Sequence, residues 1–189
     1  DFELEKSFSA FLEQQGYFEK KFKILLCDSN EVFHLALPSS SDEVIFLLSM
    51  KLVRSLDLSK LEISILLFED YLRWKNDLFK KMVTNKDIDQ LIGSNFNGKT
   101  LDKAALDALL KRYSEVAFEK GFTFQQQFDI TKEMESSLKS DLKNFSAYLL
   151  MLEKLDNLVK SSTLYKKYNQ IYPSPELQIN WLRPKEKIL

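Results

Sequence analysis

Turn-forming residues are scarce in this chain, and that scarcity limits what it can fold into. Four glycines and four prolines punctuate 189 residues, and Pro173, Pro175 and Pro184 all lie beyond residue 172. A β-sandwich or barrel of this length needs a turn signal roughly every 8–12 residues. Long helices joined by short polar links need far fewer. The expected fold is therefore mainly α, an irregular multi-helix bundle of about six to eight helices. Residues 1–172 read as a single helical domain, and 173–189 as an extended C-terminal tail containing proline and Trp181.

Helix-start signals support this reading. Leu4, Phe8, Phe11 and Leu12 follow the 3–4 spacing of an amphipathic helix, and Gly16 sits where a C′ glycine belongs. Ser40 with Glu43 has capping-box spacing and opens an expected buried helix to Leu56, apolar nearly all round. Ser59 with Glu62 makes a second box, with Leu58 and Ile63 as its hydrophobic staple, ahead of a helix expected to reach Val83. A short helix at 86–92 closed by Gly93, a turn at 94–98 and a helix capped by Thr100 follow. Thr123 with Gln126 opens a stretch free of glycine and proline to Lys160, which reads as one long helix. Leu138, Leu142, Phe145, Leu149, Leu152 and Val159 give that helix a heptad seam, interrupted by Asp156. Residues 22–37 fit two patterns. Two apolar runs around Asp28-Ser29-Asn30 suit a small β-hairpin, whereas Phe18, Phe22 and Leu26, four apart, suit two short helices. The helical context favours helices.

Composition excludes several function classes. The formal net charge is −1, so no global field draws the chain to nucleic acid or to an anionic membrane. Of 27 basic residues only Arg54, Arg73, Arg112 and Arg183 are arginine, the residue suited to bidentate phosphate and guanine contacts. Nucleic acid is thus an unfavoured partner. No apolar run, Val44 to Leu48 included, approaches a membrane span of roughly 20 residues, so an integral membrane protein is not expected. One cysteine, Cys27, allows no intrachain disulfide. With no evident signal segment this favours a cytoplasmic setting, while a chain opening on Asp1 rather than Met leaves export open.

Chemistry-bearing residues are few. His34 is the sole histidine, and a Cys27–His34 pair would need the hairpin to bring the two together. A buried histidine beside a buried cysteine is the plainer expectation. No Glu-x-x-His word is present for a di-iron site, and Glu69-Asp70, adjacent on a helix, point in different directions. Asn97-Gly98-Lys99-Thr100 ends like a phosphate loop but lacks its first glycine. Arg73-Trp74-Lys75 reads as a solvated face, and Phe122, Phe124 and Phe128 as core. No catalytic residue, metal or cofactor is expected.

The tail stands out. Residues 160–189 carry six basic side chains against two acidic ones, with the alternation Leu177-x-Ile179-x-Trp181 of a strand showing one apolar face. Leu177, Ile179, Trp181, Leu182 and Arg183 are the expected partner-binding residues. The leading expectation is a non-enzymatic protein–protein interaction module: a helical subunit, adaptor or scaffold with a docking tail, whose partner is another protein or a second copy. A small hydrolase-like enzyme using carboxylates or the Cys–His pair is the first alternative. An exported or surface helical protein binding a host or apolar ligand is the second.

Overall fold

A computed structural model describes residues 2–28, 32–38, 43–78, 121–161 and 166–183. Helix α1 (Phe2–Gln14) ends at Gly16, whose φ of 83° is the left-handed conformation a glycine tolerates. Then come β1 (Lys21–Cys27), β2 (His34–Pro38) and β3 (Glu43–Ser49), followed by α2 (Met50–Leu56) and α3 (Lys60–Lys75). After residue 120 follow α4 (Phe124–Leu138), α5 (Leu142–Ser161), α6 (Lys166–Ile171) and α7 (Pro175–Leu182). The described residues are thus mainly α, with a small sheet. The helices expected at 86–92 and after Thr100, and the phosphate-loop-like word at 97–100, lie outside them.

The sheet corrects two expectations. Residues 43–49 form a strand where a helix was expected, and only Met50–Leu56 are helical. β3 is the central strand of the order β1-β3-β2, parallel to β1 and antiparallel to β2. Its run Val44 to Leu48 is buried on both faces, which is why it is apolar without a period. Residues 22–37 therefore form neither a hairpin nor two helices, because β1 and β2 pair with β3 and not with each other. Ser49 ends the strand and starts α2: its hydroxyl accepts from Leu52 N and also from Phe33 N. The Ser40 half of the expected capping box lies outside the described residues, and Glu43 belongs to β3.

Phe8 of α1 meets Phe22 of β1 and Phe46 of β3 edge-on, at centroid distances of 5.0 and 5.2 Å. Helix α3 packs against α1, β2, α4 and α5 and lies at the centre of the core. Its capping box at Ser59 and Glu62 is formed in both directions. Asn76 caps its other end, and Asp77, at φ 55°, turns the chain away, so α3 stops at Lys75 rather than Val83. The Thr123–Gln126 box opens α4. The single long helix expected from there to Lys160 is instead two. The break needs no glycine or proline because the Asp141 carboxylate accepts from Lys143 N and Asn144 N and starts α5 afresh. The expected heptad seam is broken with it: Leu138 and Leu152 are buried, whereas Leu142 is 78% exposed.

The tail is also corrected. Pro175–Leu182 is an α-helix, not an extended strand. Ser174 caps it through Leu177 N, and Pro175 occupies the first turn, where a missing N–H does no harm. α7 packs on α4 and α5.

Candidate functional site

The main concentration of chemically capable side chains lies inside the core, around the middle of α3. Glu69, Asp70 and Arg73 interrupt an otherwise apolar helix. At 100° per residue, Arg73 falls angularly between the two acids that precede it by four and three positions. Its guanidinium spans both: Nη1 donates to Asp70 Oδ1 and Nη2 to Glu69 Oε1, each at 2.6 Å. Glu69 and Asp70 do diverge as expected, Glu69 toward Gln127 and Asp70 toward His34, and one forked cation between them joins both. The expected solvated face at Arg73 is corrected, since Arg73 is 1% exposed.

Other elements close the cluster. Gln127 of α4 accepts from Arg73 Nη2 at 2.9 Å and donates to Glu69 Oε1 at 2.8 Å. Thr131, one turn on, donates to the Gln127 carbonyl. From β2, His34 Nδ1 lies 2.7 Å from Asp70 Oδ2, and Nε2 lies 2.9 Å from the Tyr168 hydroxyl of α6. Tyr172 stacks on the His34 ring at 4.1 Å and donates its hydroxyl to the His34 carbonyl. Tyr172 and Phe122 also cover the Arg73 guanidinium, at 4.8 and 5.1 Å. One donor, Arg73 Nε, is buried without a hydrogen-bond partner among the described residues.

Electrostatics follow from this enclosure. Burial pulls the Arg73 guanidinium down, but Glu69 and Asp70 outweigh it and raise it further above its ordinary value, so it stays charged. Burial, aided by the Glu69 charge, pushes the Tyr168 and Tyr148 phenols well above their usual range. Asp70, His34 and the Tyr168 hydroxyl stand in the order of a nucleophilic triad. The hydroxyl, however, is a phenol made harder to ionise, and every member of the chain is at most 4% exposed. The arrangement ties β2, α3, α4 and α6 together, and among the described residues its members are buried on one another.

Cys27 and His34 are not brought together. Cys27 aligns with Ser49 and His34 with Leu48, neighbours on β3 that point to opposite faces. A strand separates them: His34 is buried as expected, whereas Cys27 is only half-buried and not beside it, which corrects that part of the expectation. Burial pushes the Cys27 thiol up, away from the reactive thiolate. Among the described residues, no group of three or more His, Cys, Asp or Glu side chains is placed to hold a metal. No described helix is long and apolar enough to cross a membrane.

Of the five expected partner-binding residues, Ile179 and Leu182 are buried on the body. Leu177 and Trp181 are half-buried and Arg183 is exposed. The helical turn brings Trp181 edge-on to Phe128 of α4 at 5.2 Å, with Lys132 bonded to the Trp181 carbonyl. Phe124, one turn before Phe128, is 63% exposed, so it is not core as expected, whereas Phe122 is buried. Two aromatic features far apart in sequence thus share one surface. Sequence reasoning missed Glu69, Asp70, Arg73, Gln127, Tyr168 and Tyr172 as a set. The available signal was the Glu-Asp-x-x-Arg word inside an apolar helix, where buried charges have to be paired.

The class defined is a mainly α chain around a three-stranded mixed sheet, with a sealed polar cluster at its centre. No family model, curated protein or solved structure matches it.

Proposed function

We propose that this chain is a non-enzymatic protein–protein interaction module: a subunit, adaptor or scaffold whose helices form an irregular bundle around the sheet. The observation that carries the reading is the enclosure of the His34–Asp70–Arg73–Glu69 cluster. Its ionisable groups are spent on one another and on Gln127 and Tyr168, as in a structural core. Apolar groups, by contrast, remain at the surface: Phe124, Trp181 and Leu177, with the cation Arg183 beside them, make one docking surface between α4 and α7. In this reading Ile179 and Leu182 seat α7 on the body, and its outer residues meet the partner.

Deleting the tail is a poor test, since α7 belongs to the core. Affinity capture from the source cells, with the wild-type chain and with Trp181→Ala, is a better one. The expected result is a partner held near stoichiometry by the wild type and lost by Trp181→Ala at an unchanged melting temperature. No retained partner, together with ester or phosphoester turnover that His34→Gln abolishes, would overturn the reading.

A further inference from the structure

A second surface lies at the outer edge of the sheet. Among the described residues β1 has one strand neighbour, β3. Ile24 N–H points away from β3 and is taken by the Glu5 carboxylate of α1 at 3.2 Å. By the two-residue period of a strand, the N–H and C=O groups of Phe22 and Leu26 point outward too. Neither residue has a hydrogen-bond partner on that side among the described residues. Glu5 therefore stands where the carbonyl of a fourth strand would be. Leu25 and Leu26 are 44% and 38% exposed on this strand, an apolar stretch on the kind of edge that natural proteins blunt with charge.

Charge distinguishes the two ends of the edge. Lys20, Lys21 and Lys23 precede the leucines, and Lys6 of α1 joins Lys20 and Lys21 in an open cleft of about 530 Å³. These four lysines are exposed and form no ion pair among the described residues. In the same neighbourhood Glu5 is engaged by Ile24 and Glu43 is engaged elsewhere in the chain. Glu19 is exposed and makes no ion pair among the described residues, and one acid against four lysines leaves the end net positive.

We propose that the outer edge of β1 is a strand-addition site for an extended peptide, acidic where it meets Lys20–Lys23 and apolar where it meets Leu25 and Leu26. The proposal rests on the interaction-module reading and names a partner chemistry for it. Main-chain bonds to Phe22, Ile24 and Leu26 supply affinity, and the lysine-to-leucine gradient sets direction. The peptide displaces the Glu5 carboxylate from Ile24 N–H. A second copy of β1 suits the edge poorly, because it would bring its own lysines to a strand that already lacks counter-charge.

The test uses the whole chain and a fluorescein-labelled nine-residue probe of alternating valine and threonine with two glutamates at one end, read by anisotropy. Saturable binding is expected. It should vanish when alternate amides of the probe are N-methylated, and weaken about tenfold or more in Lys21→Glu/Lys23→Glu. It should tighten in Glu5→Ala, where the placeholder is gone, and stay unchanged in Trp181→Ala. Equal binding of the N-methylated probe, equal binding of a lysine-ended probe, or no binding would overturn the proposal. So would a stable dimer in sedimentation velocity that Lys21→Glu/Lys23→Glu alters, since a second copy would then own the edge. If the probe fails while Trp181-dependent capture succeeds, the edge proposal falls and the interaction-module reading stands.

Discussion

Arg73→Met is the perturbation whose consequence the structure defines most closely. It removes the cation that Glu69 and Asp70 share, at 2.6 Å from each, and leaves two carboxylates with side chains no more than 3% exposed. Removing one partner of a buried ion pair costs about 3–5 kcal/mol, because a charge stays behind without compensation. Arg73 Nε already lacks an acceptor, an unmet donor worth about 1–3 kcal/mol, so its loss offsets part of the damage. The expected destabilisation is about 3 kcal/mol, the lower end of that range. In a domain of this size it lowers the melting temperature by about 6–12 °C. Urea unfolding measures it directly as a shift in midpoint at unchanged slope. Glu69→Leu/Asp70→Leu/Arg73→Met should destabilise less than Arg73→Met alone, since no unpaired charge remains, although His34 loses one partner and Gln127 two. A loss below about 1 kcal/mol in Arg73→Met would mean that water reaches the carboxylates, and the sealed-cluster account would be wrong.

Further expectations follow from other contacts. Gly121 has φ 56°, and a Cβ there would collide with the Gln170 carbonyl oxygen, so Gly121→Ala should destabilise by about 2 kcal/mol or more in the same urea assay. Burial pushes the Glu62 carboxyl up, but Lys154 at 2.7 Å and the Ser59 cap together hold it below the ordinary 4.5. Its contribution is thus present above the unfolded carboxylate's range and lost as pH falls below about 4.5. Glu62→Gln should lower stability at pH 7 and flatten its fall over the acid limb, as measured by melting temperature against pH. Cys27 should react with a thiol probe at pH 7 more slowly than free cysteine, and His34→Gln should leave that rate unchanged, since the two side chains lie on opposite faces of the sheet.

What was legible in the sequence was local. The boxes at Ser59–Glu62 and Thr123–Gln126 are both made, because partners three residues apart need nothing else to find each other. The run Val44 to Leu48 was not decidable in the same way. A segment buried on every side has no period, and its identity as a strand is set by pairing with Phe22–Leu26 and His34–Leu37. Its β-branched Val44 and Ile45 were a weak pointer. The tail carries two competing signals. Ser174-Pro175-Glu176 is a helix start, whereas the apolar alternation after it has the period of a strand, and the helix start prevails. Within the cluster, Arg73 could have been paired with Glu69 and Asp70 from spacing alone. Gln127 and Tyr168 could not, since they reach Arg73 and His34 from 54 and 134 residues away.

The sole histidine offers the most direct test of whether that cluster is closed to solvent. His34 Nδ1 faces Asp70 at 2.7 Å with the ring fully buried, so its N–H should appear as one downfield proton resonance, absent from His34→Gln. After transfer to D2O it should exchange only on global unfolding, with a protection free energy matching the urea value. A ring N–H that exchanges within the dead time, while core backbone amides stay protected, would show that solvent enters the cluster, and the reading of it as architecture rather than as a reaction centre would fail.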